Sequence, residues 1–391
     1  MQSVKCEQRH LNIRSKAIEL GFDRIGFTPA EVPLEDQKTF ESYCRGEAGA
    51  NLEYLTKDPK KRMDVRSFFP GAQTIISLGV GYFQGAIPPQ PGPGFGRVAR
   101  YAWGLDYHRV ISDRLDQLVS FLREELGQNV KMTRGADSLP LLEKSFARTA
   151  GLGFIGKNSV LIVPPGVREM SSVGKLGSWI FLGEIILDLP VSAPDPEPKN
   201  KTNCGDCTRC GASCPTNALD KPYTLDAGRC ISYLTIENKG PIPRELRKKM
   251  GHWIFGCDDC QDVCSFNAGT SKTRWPEFEA DQGPGPWVSL REVLAIPDQL
   301  SFIDRWAGTS FLRTKRKGLV RNSCVAAGNS QDESLIPNLK TLLTDPDPLV
   351  RGHAIWACGE LLPAKERRNL AERLLKVESD RWVREECESL L

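Results

Sequence analysis

The chain has 391 residues, 40% hydrophobic and 26% charged, a composition that fits soluble globular proteins and excludes a disordered or collagen-like chain. The formal net charge is only +3, so overall charge does not by itself predict nucleic-acid binding. No apolar run of about 18 residues predicts a transmembrane helix, and the N-terminus has neither the apolar region of a signal peptide nor a twin arginine. We therefore expect a cytoplasmic protein of two or three domains with no membrane partner.

The first part of the chain alternates helical and strand patterns. Residues 11–20 favour a helix, and apolar residues at helical spacing over 106–126 predict a long helix that Gly127 ends. Glycine and proline dominate residues 85–96, which predicts an exposed loop. Runs rich in β-formers predict four strands, at residues 24–27, 74–80, 159–163 and 178–187. The pattern indicates an α/β or α+β body.

A glycine-rich segment of this body, Gly151-Leu-Gly-Phe-Ile-Gly-Lys157, fits two nucleotide-binding patterns. Both patterns require a strand before the glycines, whereas residues 141–150 favour a helix. Asn158 also stands where a phosphate-binding loop has Ser or Thr. Gly151 is better explained as a helix C-cap. The glycine-rich turn would then let the backbone approach a large group.

Two polar positions of the body have more than one interpretation. Asp106-Tyr-His108 is similar to the Asp-x-His-x-x-Gly motif that places a histidine on the cobalt of cobalamin in some enzymes, but Ile111 replaces the glycine. His108 could thus be a cobalt ligand, a polar group of a pocket or an exposed helix residue. Asp137 precedes Leu139-Pro140 and could cap a helix or act as a general acid.

The chain has thirteen cysteines, an odd number that argues against complete disulfide pairing. Clustered cysteines in a cytosolic protein indicate a metal or catalytic site. A proline-rich linker at residues 190–201 precedes the cluster, which contains eight of the thirteen between Cys204 and Cys264. The scattered cysteines are interpreted as small buried hydrophobic residues: Cys6, Cys44, Cys324, Cys358 and Cys387.

The clustered cysteines predict iron–sulfur chemistry. Cys204 begins a C-x2-C-x2-C-x3-C-P run of ferredoxin type, and a C-x2-C-x3-C run begins at Cys257. The fourth cysteine of such a run ligates the other cluster in two-cluster ferredoxins. We predict two [4Fe–4S] clusters, one on Cys204, Cys207, Cys210 and Cys264, the other on Cys214, Cys230, Cys257 and Cys260. A pair of zinc sites is the alternative, although zinc ribbons do not need the third turn of the first run.

The C-terminal part contains an internal repeat. Residues 322–328 are similar to residues 353–359, and 349–351 to 382–384. Two helices in each repeat indicate HEAT-like repeats of the short type. A two-helix unit cannot bury its apolar face alone, so these repeats must stack on each other and on the body.

Six motifs occur together along nearly the whole chain. They are Tyr101-Ala-Trp-Gly-Leu-Asp-Tyr-His108, Asp137 with Pro140 and Glu143, Ala150-Gly-Leu-Gly-Phe-Ile-Gly-Lys-Asn158, the run Cys204 to Pro215, Cys230-Ile-Ser-Tyr-Leu-Thr-Ile-Glu237 and Gly256-Cys-Asp-Asp-Cys260. In this combination the chain resembles the epoxyqueuosine reductase family. The resemblance implies a cobalamin-dependent enzyme, related to reductive dehalogenases, in which two [4Fe–4S] clusters feed Co(I) cobalamin. It implies removal of the epoxide oxygen of epoxyqueuosine at the tRNA wobble position, the last step towards queuosine.

The resemblance also implies roles for particular residues. Asp137 matches the proton donor of the family, expected as a carboxylic acid kept protonated in a buried pocket, with Tyr107 and His108 beside it. The implied cobalamin contacts are Arg62, Arg100, Asp137, Asn158 and Ser232.

The expected fold class is α+β. It would have an α/β-type cobalamin-binding catalytic body at 1–190, a ferredoxin-like domain at 202–270 and helical HEAT-like repeats at 310–391.

Basic residues in two segments are candidate tRNA phosphate contacts if the substrate is tRNA, and a solvated face otherwise. They are Arg244, Lys315, Arg316, Lys317 and Arg321. The reacting base would have to leave its stack. We expect a monomer with an external electron donor of the flavodoxin or ferredoxin type. The rival hypotheses are a corrinoid reductase of a small halogenated or epoxide molecule, and a ferredoxin-like carrier that docks through its repeats.

Overall fold

The computed structural model describes residues 2–46, 49–50, 52–166, 174–190 and 202–391, with side chains from residue 8 onward. The predicted proline-rich linker lies outside these ranges except for its first residue. The strands described are β1 (Arg24–Pro29), β2 (Thr74–Gly81), β3 (Phe95–Val98), β4 (Met132–Gly135), β5 (Phe154–Ile155), β6 (Leu161–Ile162), β7 (Ile180–Leu187), β8 (Trp253–Phe255) and β9 (Trp287–Ser289).

The helices alternate with these strands in the first half of the chain and dominate the second half. They are α1 (Gln2–Glu19), α2 (Leu34–Arg45), α3 (Glu53–Thr56), α4 (Pro59–Met63), α5 (Tyr107–Leu126), α6 (Glu143–Thr149), α7 (Arg209–Ser213), α8 (Ile231–Ile236), α9 (Arg244–Arg247), α10 (Asp259–Asp262), α11 (Leu290–Leu294), α12 (Gln299–Trp306), α13 (Lys315–Ser330), α14 (Ile336–Leu342), α15 (Pro348–Leu361), α16 (Ala364–Leu374) and α17 (Arg381–Glu388).

The body is built on a four-stranded sheet in the order β1-β2-β7-β4, in which every pair is antiparallel. Helices α1 and α5 cover one face and share its apolar core, which includes Ile13, Ile76, Leu115 and Ile185. The other face packs against α6 through Ile75, Phe146 and Ile186. The predicted α+β class is confirmed. The alternation of helices and strands does not correspond to parallel crossover units, because no strand pair in this sheet is parallel.

A second sheet links the three predicted segments. Strand β3 from the body pairs in parallel with β8 from the cysteine-rich segment and antiparallel with β9, which precedes the repeats. Behind this sheet, Val98 and Ile254 share one apolar core with Leu319 and Ile355 of the repeats. The cluster segment and the repeats therefore pack on the body as parts of one core, while the domain boundaries themselves stay predictions.

The C-terminal part has the predicted HEAT-like architecture. Helices α13, α15 and α17 pack against one another in sequence, with the turn at Asp345–Pro348 placing Asp347 as the N-cap of α15. The last cysteines of the chain, Cys324, Cys358 and Cys387, are buried as predicted. Cys44 is only half-buried, and the side chain of Cys6 lies outside the described residues.

Local predictions in the body are largely confirmed. The long helix begins at Tyr107, with Asp106 as a side-chain N-cap, and ends at Leu126. The strand predicted at 159–163 is only two residues long. The end of the loop predicted at 85–96 is already part of β3. No helix in the described part of the chain is long and apolar enough to cross a membrane.

Candidate active site, cluster sites and RNA-facing charges

Asp137 lies on the loop between β4 and α6, with a left-handed backbone at φ 52°. It does not cap α6, because that helix begins at Glu143 after Leu142 and has no side-chain cap. Its side chain is instead held from α5: the hydroxyl of Tyr107 donates to Oδ2 at 2.8 Å, and Nε2 of His108 lies 3.7 Å from the same oxygen. The capping interpretation of Asp137 is therefore wrong, and the three predicted pocket residues meet.

The first turn of α5 orients His108. Asp106 accepts the backbone N–H of His108 through Oδ1 at 3.1 Å, and the same oxygen lies 2.7 Å from Nδ1 of the ring. The ring also stacks on Tyr107, with centroids 4.0 Å apart. Asp106, His108 and Asp137 thus form a line of carboxylate, imidazole and carboxylate. From the sequence, Asp106 was recognised only as part of the motif with His108 and was given no role in the site; an Asp directly before a helical pattern is the signal of an N-cap that could have identified it.

The carboxylates of Asp106 and Asp137 determine whether His108 is protonated. Burial lowers the pKa of His108, but the hydrogen bonds and charges of Asp106 and Asp137 outweigh it and raise that pKa to about 9. The surrounding protein partly desolvates Asp137 and raises its pKa, but the contacts from His108 and Tyr107 outweigh this effect and bring the net pKa below its usual range. At neutral pH the site is therefore an imidazolium–carboxylate pair. The expectation of a carboxyl kept protonated by burial is wrong for this arrangement, in which the Asp137 side chain is 66% exposed.

Two further acids lie beneath Asp137. Glu143 accepts the backbone N–H of Asp137 through Oε1 at 2.8 Å, and Glu184 on β7 is completely buried. Burial and the neighbouring Asp137 raise the pKa of Glu143 to about 7. The apolar run around Glu184 hid this residue from sequence reasoning, whereas Glu143 was recognised only as part of a motif.

The four other implied cobalamin contacts differ in whether their polar groups already have hydrogen-bond partners within the protein. Asn158 is buried, and neither its amide nitrogen nor its amide oxygen has a hydrogen-bond partner in the described residues. Arg62 donates to the carbonyls of Leu141 and Tyr54 and is half-buried. Ser232 lies in α8, where its carbonyl accepts from Thr235. A buried, unpaired amide fits a site completed by a polar ligand.

Arg100 is already committed to other partners. Its guanidinium lies 3.3 Å from Asp258 and 2.5 Å from Asp262, and its backbone N–H donates to Asp258. The guanidinium also lies 4.7 Å from the ring centroid of Trp179. Arg100 therefore joins the body to the second cysteine run and does not fit the role of a cobalamin contact.

The glycine-rich turn serves packing within the protein. A side chain at Gly153 would meet the carbonyl oxygen of Ile162 at 2.2 Å, and one at Gly156 would meet the Ile162 side chain at 2.5 Å. These glycines let β5 and β6 pair closely. The approach to a large group that the sequence suggested is not what these two positions require. The C-cap of α6 is Ala150, so the prediction was off by one residue. Gly151 follows it with φ 76°, the left-handed conformation that often ends a helix.

The cysteines of the first predicted cluster come together from two segments. Burial raises the pKa of the Cys264 thiol, and the nearby Cys204 and Cys207 raise it further. The same two neighbours raise the pKa of Cys210 in addition to burial. The backbone N–H of Lys157 donates to the sulfur of Cys204 at 3.4 Å, and Cys207 is exposed. This gathering fits the predicted crossed set.

The cysteines of the second predicted set lie deeper. Burial raises the pKa of Cys257, with Cys260 and Cys230 adding to it, and Cys214 acts in the same way on Cys230. Cys210 of the first set also raises the pKa of Cys260. The two sets therefore adjoin. Within the described ranges, no three Cys, His, Asp or Glu side chains converge on the position of a single ion.

The basic segment of α13 is not one charged face. Arg316 is buried and pairs with Asp345 at 2.6 Å. Arg321 is 1% exposed and donates to the carbonyls of Leu234, Asn238 and Gly240. The prediction that Arg316 and Arg321 contact tRNA is wrong, because their guanidinium groups satisfy buried groups of the fold.

The remaining basic candidates reach the surface. Lys315 and Lys317 are exposed, the latter 3.2 Å from Asp347. Arg244 is 41% exposed and pairs with Glu386. Arg313, which belongs to the same acid-free basic segment, is exposed beside Glu237, and its charge helps to lower the pKa of Asp137. Arg313 therefore connects the basic surface with the mouth of the candidate active site.

Family models match three segments of the chain. The model described as epoxyqueuosine reductase QueG, DUF1730, matches residues 62–138, which include Tyr107, His108 and Asp137. The model of a 4Fe-4S double cluster binding domain matches residues 203–267, which include all eight clustered cysteines. The HEAT repeat model matches residues 311–391.

Curated relatives and solved structures cover most of the chain. The epoxyqueuosine reductase of Xanthomonas campestris pv. campestris is 36% identical over 89% of this chain and 95% of its own, and that of Escherichia coli is 32% identical over 94% and 93%. A crystal structure of epoxyqueuosine reductase with an epoxyqueuosine-modified tRNA-Tyr stem loop superposes with a TM-score of 0.86 at 30% identity, over 98% of both chains. The Bacillus subtilis epoxyqueuosine reductase has a TM-score of 0.85 at 30% identity, over 99% of this chain and 100% of its own, and is described with its catalytic aspartate loop swung out of the active site.

Proposed function

This chain belongs to the epoxyqueuosine reductase family, and we propose that its own Asp137 site removes the epoxide oxygen of epoxyqueuosine in tRNA to give queuosine. The reaction makes it an oxidoreductase of tRNA modification, with iron–sulfur clusters in the segment 203–267. The observation that carries the proposal is the meeting of Asp137, His108 and Tyr107 at the end of the matched segment. The nearly complete coverage by relatives leaves no feature that favours a small-molecule reductase or an electron carrier.

Removing an epoxide oxygen consumes two electrons and two protons and releases water. Opening the ring places negative charge on the oxygen, which needs a proton as the carbon–oxygen bond breaks. We assign this first proton transfer to the carboxyl of Asp137; the second proton, with which the oxygen leaves as water, comes from solvent. The first proton comes from the imidazolium of His108, whose Nε2 lies 3.7 Å from Oδ2. A substrate that covers the open Asp137 side chain would remove water from it, raise its pKa and favour the protonated carboxyl.

The resemblance to the family implies cobalamin as the group that contacts the epoxide. When bound, cobalamin supplies the strongly reducing, nucleophilic chemistry that no side chain of this chain offers. We propose Asn158, Arg62 and Ser232 as contacts, with Asp137 facing the same space. The unpaired, buried amide of Asn158 is the feature of the structure that fits such a ligand. Arg100 is omitted because its charge is used by Asp258 and Asp262.

Electrons reach this site through the cysteine-rich segment. We propose the crossed ligation, with Cys204, Cys207, Cys210 and Cys264 on one cluster and Cys214, Cys230, Cys257 and Cys260 on the other. The first set is closer to the surface, because its Cys207 is exposed. An electron donor of the flavodoxin or ferredoxin type would therefore deliver electrons beside Cys207. Transfer between the clusters would pass from the first set to the deeper one, near Cys210 and Cys260.

The RNA is held by charges at the mouth of the site. Arg313, Lys315 and Lys317 form an exposed group at the start of the repeats, which we call the basic rim. Phosphate contacts position the RNA without reading its sequence. A monomer working in the cytoplasm suffices for this arrangement, since all proposed groups lie in one chain.

The cobalamin proposal can be tested without turnover. Anaerobic protein is mixed with cobalamin, separated from free cofactor by gel filtration and examined for a corrin absorption spectrum. Comigration of the corrin with the parent protein, and its loss in Asn158→Leu, would support the proposed contact. Parent protein without corrin would contradict the cofactor proposal, and an Asn158→Leu variant that retains it would contradict the role of Asn158.

A further inference from the structure

The buried carboxyl of Glu184 lies in an unusual row across the main sheet. Four residues stand opposite one another in register, in the order Gly26, Ser77, Glu184 and Gly135. Opposite residues in antiparallel strands project to the same face, here the face that packs against α6. A side chain at Gly26 would meet the carbonyl oxygen of Ala150 at 2.1 Å. The glycines of the row therefore allow residues 138–150 to approach this face of the sheet closely.

Glu184 has almost no partners of its own. Its exposure is 0%, and neither of its carboxyl oxygens has a hydrogen-bond partner among the described residues. The opposite Ser77 is also completely buried, with a hydroxyl that has no partner in the described residues. A buried carboxylate without a cation is costly, so a carboxyl in this place keeps its proton. Burial, with Glu143 and Asp137 as further causes, raises the pKa of Glu184 well above its ordinary value.

Glu143 stands between this buried acid and the Asp137 loop. Its Oε1 accepts the backbone N–H of Asp137 at 2.8 Å. Arg62 and Lys144 are the cations that act on it, yet the guanidinium of Arg62 donates to Leu141 and the ammonium of Lys144 donates to Ser159. Neither cation forms an ion pair with Glu143 in the described structure. Among its neighbours, the carboxyl of Glu184 can act on Glu143 as a hydrogen-bond donor once Glu184 is protonated.

The Asp137 loop needs such an anchor. The backbone of Asp137 has φ 52°, a conformation that non-glycine residues rarely adopt without support from their surroundings. Its N–H is the only backbone group of residues 136–138 for which the structure records a side-chain acceptor. Loss of this contact would leave the strain of the loop without compensation.

We propose that Glu143 and Glu184 form a carboxylate–carboxylic acid pair whose shared proton keeps Glu143 in place as the latch that holds the Asp137 loop over the site. Glu143 and Glu184 are positioning residues, since the reacting atoms meet Asp137. The inference rests on Asp137 as the proton donor. It adds to that proposal the side-chain pair that keeps Asp137 in position.

The test compares matched variants by two readouts. Glu143→Ala removes the acceptor, while Glu143→Gln keeps an oxygen that can accept the Asp137 N–H. Glu184→Leu removes the donor to Glu143, while Glu184→Gln keeps a donor of similar size. Amide hydrogen exchange of the peptide spanning 136–142 is measured on holoenzyme by mass spectrometry. The kcat and KM for an epoxyqueuosine-containing stem loop are measured in parallel, with the exposed Glu19→Ala as control.

We expect exchange of the loop to accelerate roughly tenfold in Glu143→Ala and Glu184→Leu, because each loses a hydrogen bond to a charged group. The kcat should fall with the exchange protection while KM stays the same. The Gln variants should restore most of both quantities. Iron content and thermal midpoint identify any variant that fails to fold, and the Glu143→Gln and Glu184→Gln comparisons then carry the test.

Two results would overturn the latch. Parent-like loop exchange in Glu143→Ala would show that Glu143 does not hold the loop, whatever the activity. Exchange and kcat as impaired in Glu143→Gln as in Glu143→Ala would show that the charge of Glu143, and not its acceptor oxygen, is what matters. Failure of the donor role of Asp137 would instead appear as unchanged turnover in Asp137→Asn, with loop exchange still dependent on Glu143.

Discussion

The hydroxyl of Tyr107 donates a 2.8 Å hydrogen bond to Oδ2 of Asp137, which joins the first residue of a long helix to a loop thirty residues later. The pKa of Tyr107 is raised well above its usual value, first by burial and then by Asp137, so its hydroxyl remains a donor throughout the working pH range. With the His108 ring 3.7 Å away on the other side, the carboxylate of Asp137 is held by one hydrogen bond and one ion-pair contact from the same helix turn. That turn makes α5 the support of the proton-transfer site.

The pH profile should report the proton on His108. Its pKa of about 9, against an ordinary 6.5, means that His108 is charged at neutral pH, so kcat should fall as pH rises through about 9. Asp106→Asn removes the carboxylate that contributes most to raising this pKa, and the alkaline fall should move towards neutral pH. The profile is measured under single-turnover conditions. An alkaline fall at the same pH in both proteins would contradict the role of the Asp106–His108 pair.

The crossed ligation predicts which cysteines share a cluster. Reconstituted protein should contain about eight iron and eight sulfide per chain. Cys264→Ala and Cys204→Ala should each remove about four iron and abolish the same electron paramagnetic resonance signal. Cys214→Ala and Cys257→Ala should both abolish the other electron paramagnetic resonance signal. The half-buried Cys44 offers the control, Cys44→Ala, with full iron content. Loss of different signals in Cys204→Ala and Cys264→Ala would contradict the assignment.

The basic rim should bind RNA through charge alone. Reversal of Lys315 and Lys317 to Glu should raise KM for tRNA, and each lost phosphate contact should reduce the slope of log affinity against log salt by about 0.7–0.9. Filter binding at several salt concentrations gives the slope. Arg123→Glu is the control, because Arg123 is exposed near the far end of α5. Equal slopes in the Lys315/Lys317 variant and the parent would show that these lysines are only a solvated face.

Arg321 should matter for stability and not for the salt dependence of RNA binding. Its guanidinium donates to three backbone carbonyls, of Leu234, Asn238 and Gly240. Each buried carbonyl left unpaired costs about 1–3 kcal/mol, so Arg321→Ala should lower the free energy of unfolding by several kcal/mol. Chemical denaturation measures this loss. A variant of parental stability whose salt slope for RNA has changed would show that Arg321 reaches solvent after all.

The difference between Arg321 and Lys315 marks a limit of sequence interpretation. The segment 313–321 contains five basic residues and no acid, and a charge count cannot tell which of them face the protein. The orientation of α13 is set by α15 and by the sheet that contains β8, contacts made with residues far away in sequence. The C-x2-C-x2-C spacing that begins at Cys204, in contrast, predicts its own chemistry, because one short run supplies three thiolates for the same cluster.

The active site likewise contains residues that the sequence predicts and residues that it does not. Asp137, Tyr107 and His108 could be predicted, because motif resemblance preserves the polar residues that do chemistry. Glu184 could not, since a single acid in an apolar strand gives no sign of facing Glu143 until the strand register is known. The protonation state of Asp137 was also beyond the sequence. It depends on the distance of 3.7 Å between its Oδ2 and Nε2 of His108.

The proposed role of Asp137 is tested most directly by comparing the rate of epoxide reduction in the parent and in Asp137→Asn during anaerobic single turnover. Both proteins are loaded with iron, sulfide and cobalamin and mixed with a stem loop that contains epoxyqueuosine, and the released nucleosides are identified by mass spectrometry. The exposed Asp113→Asn on α5 is the control. We expect the parent and the control to form queuosine, while Asp137→Asn binds the RNA equally well and forms queuosine about 10²-fold more slowly or worse. A parent that leaves the epoxide intact, or an Asp137→Asn variant that reduces it at the parental rate, would contradict the account.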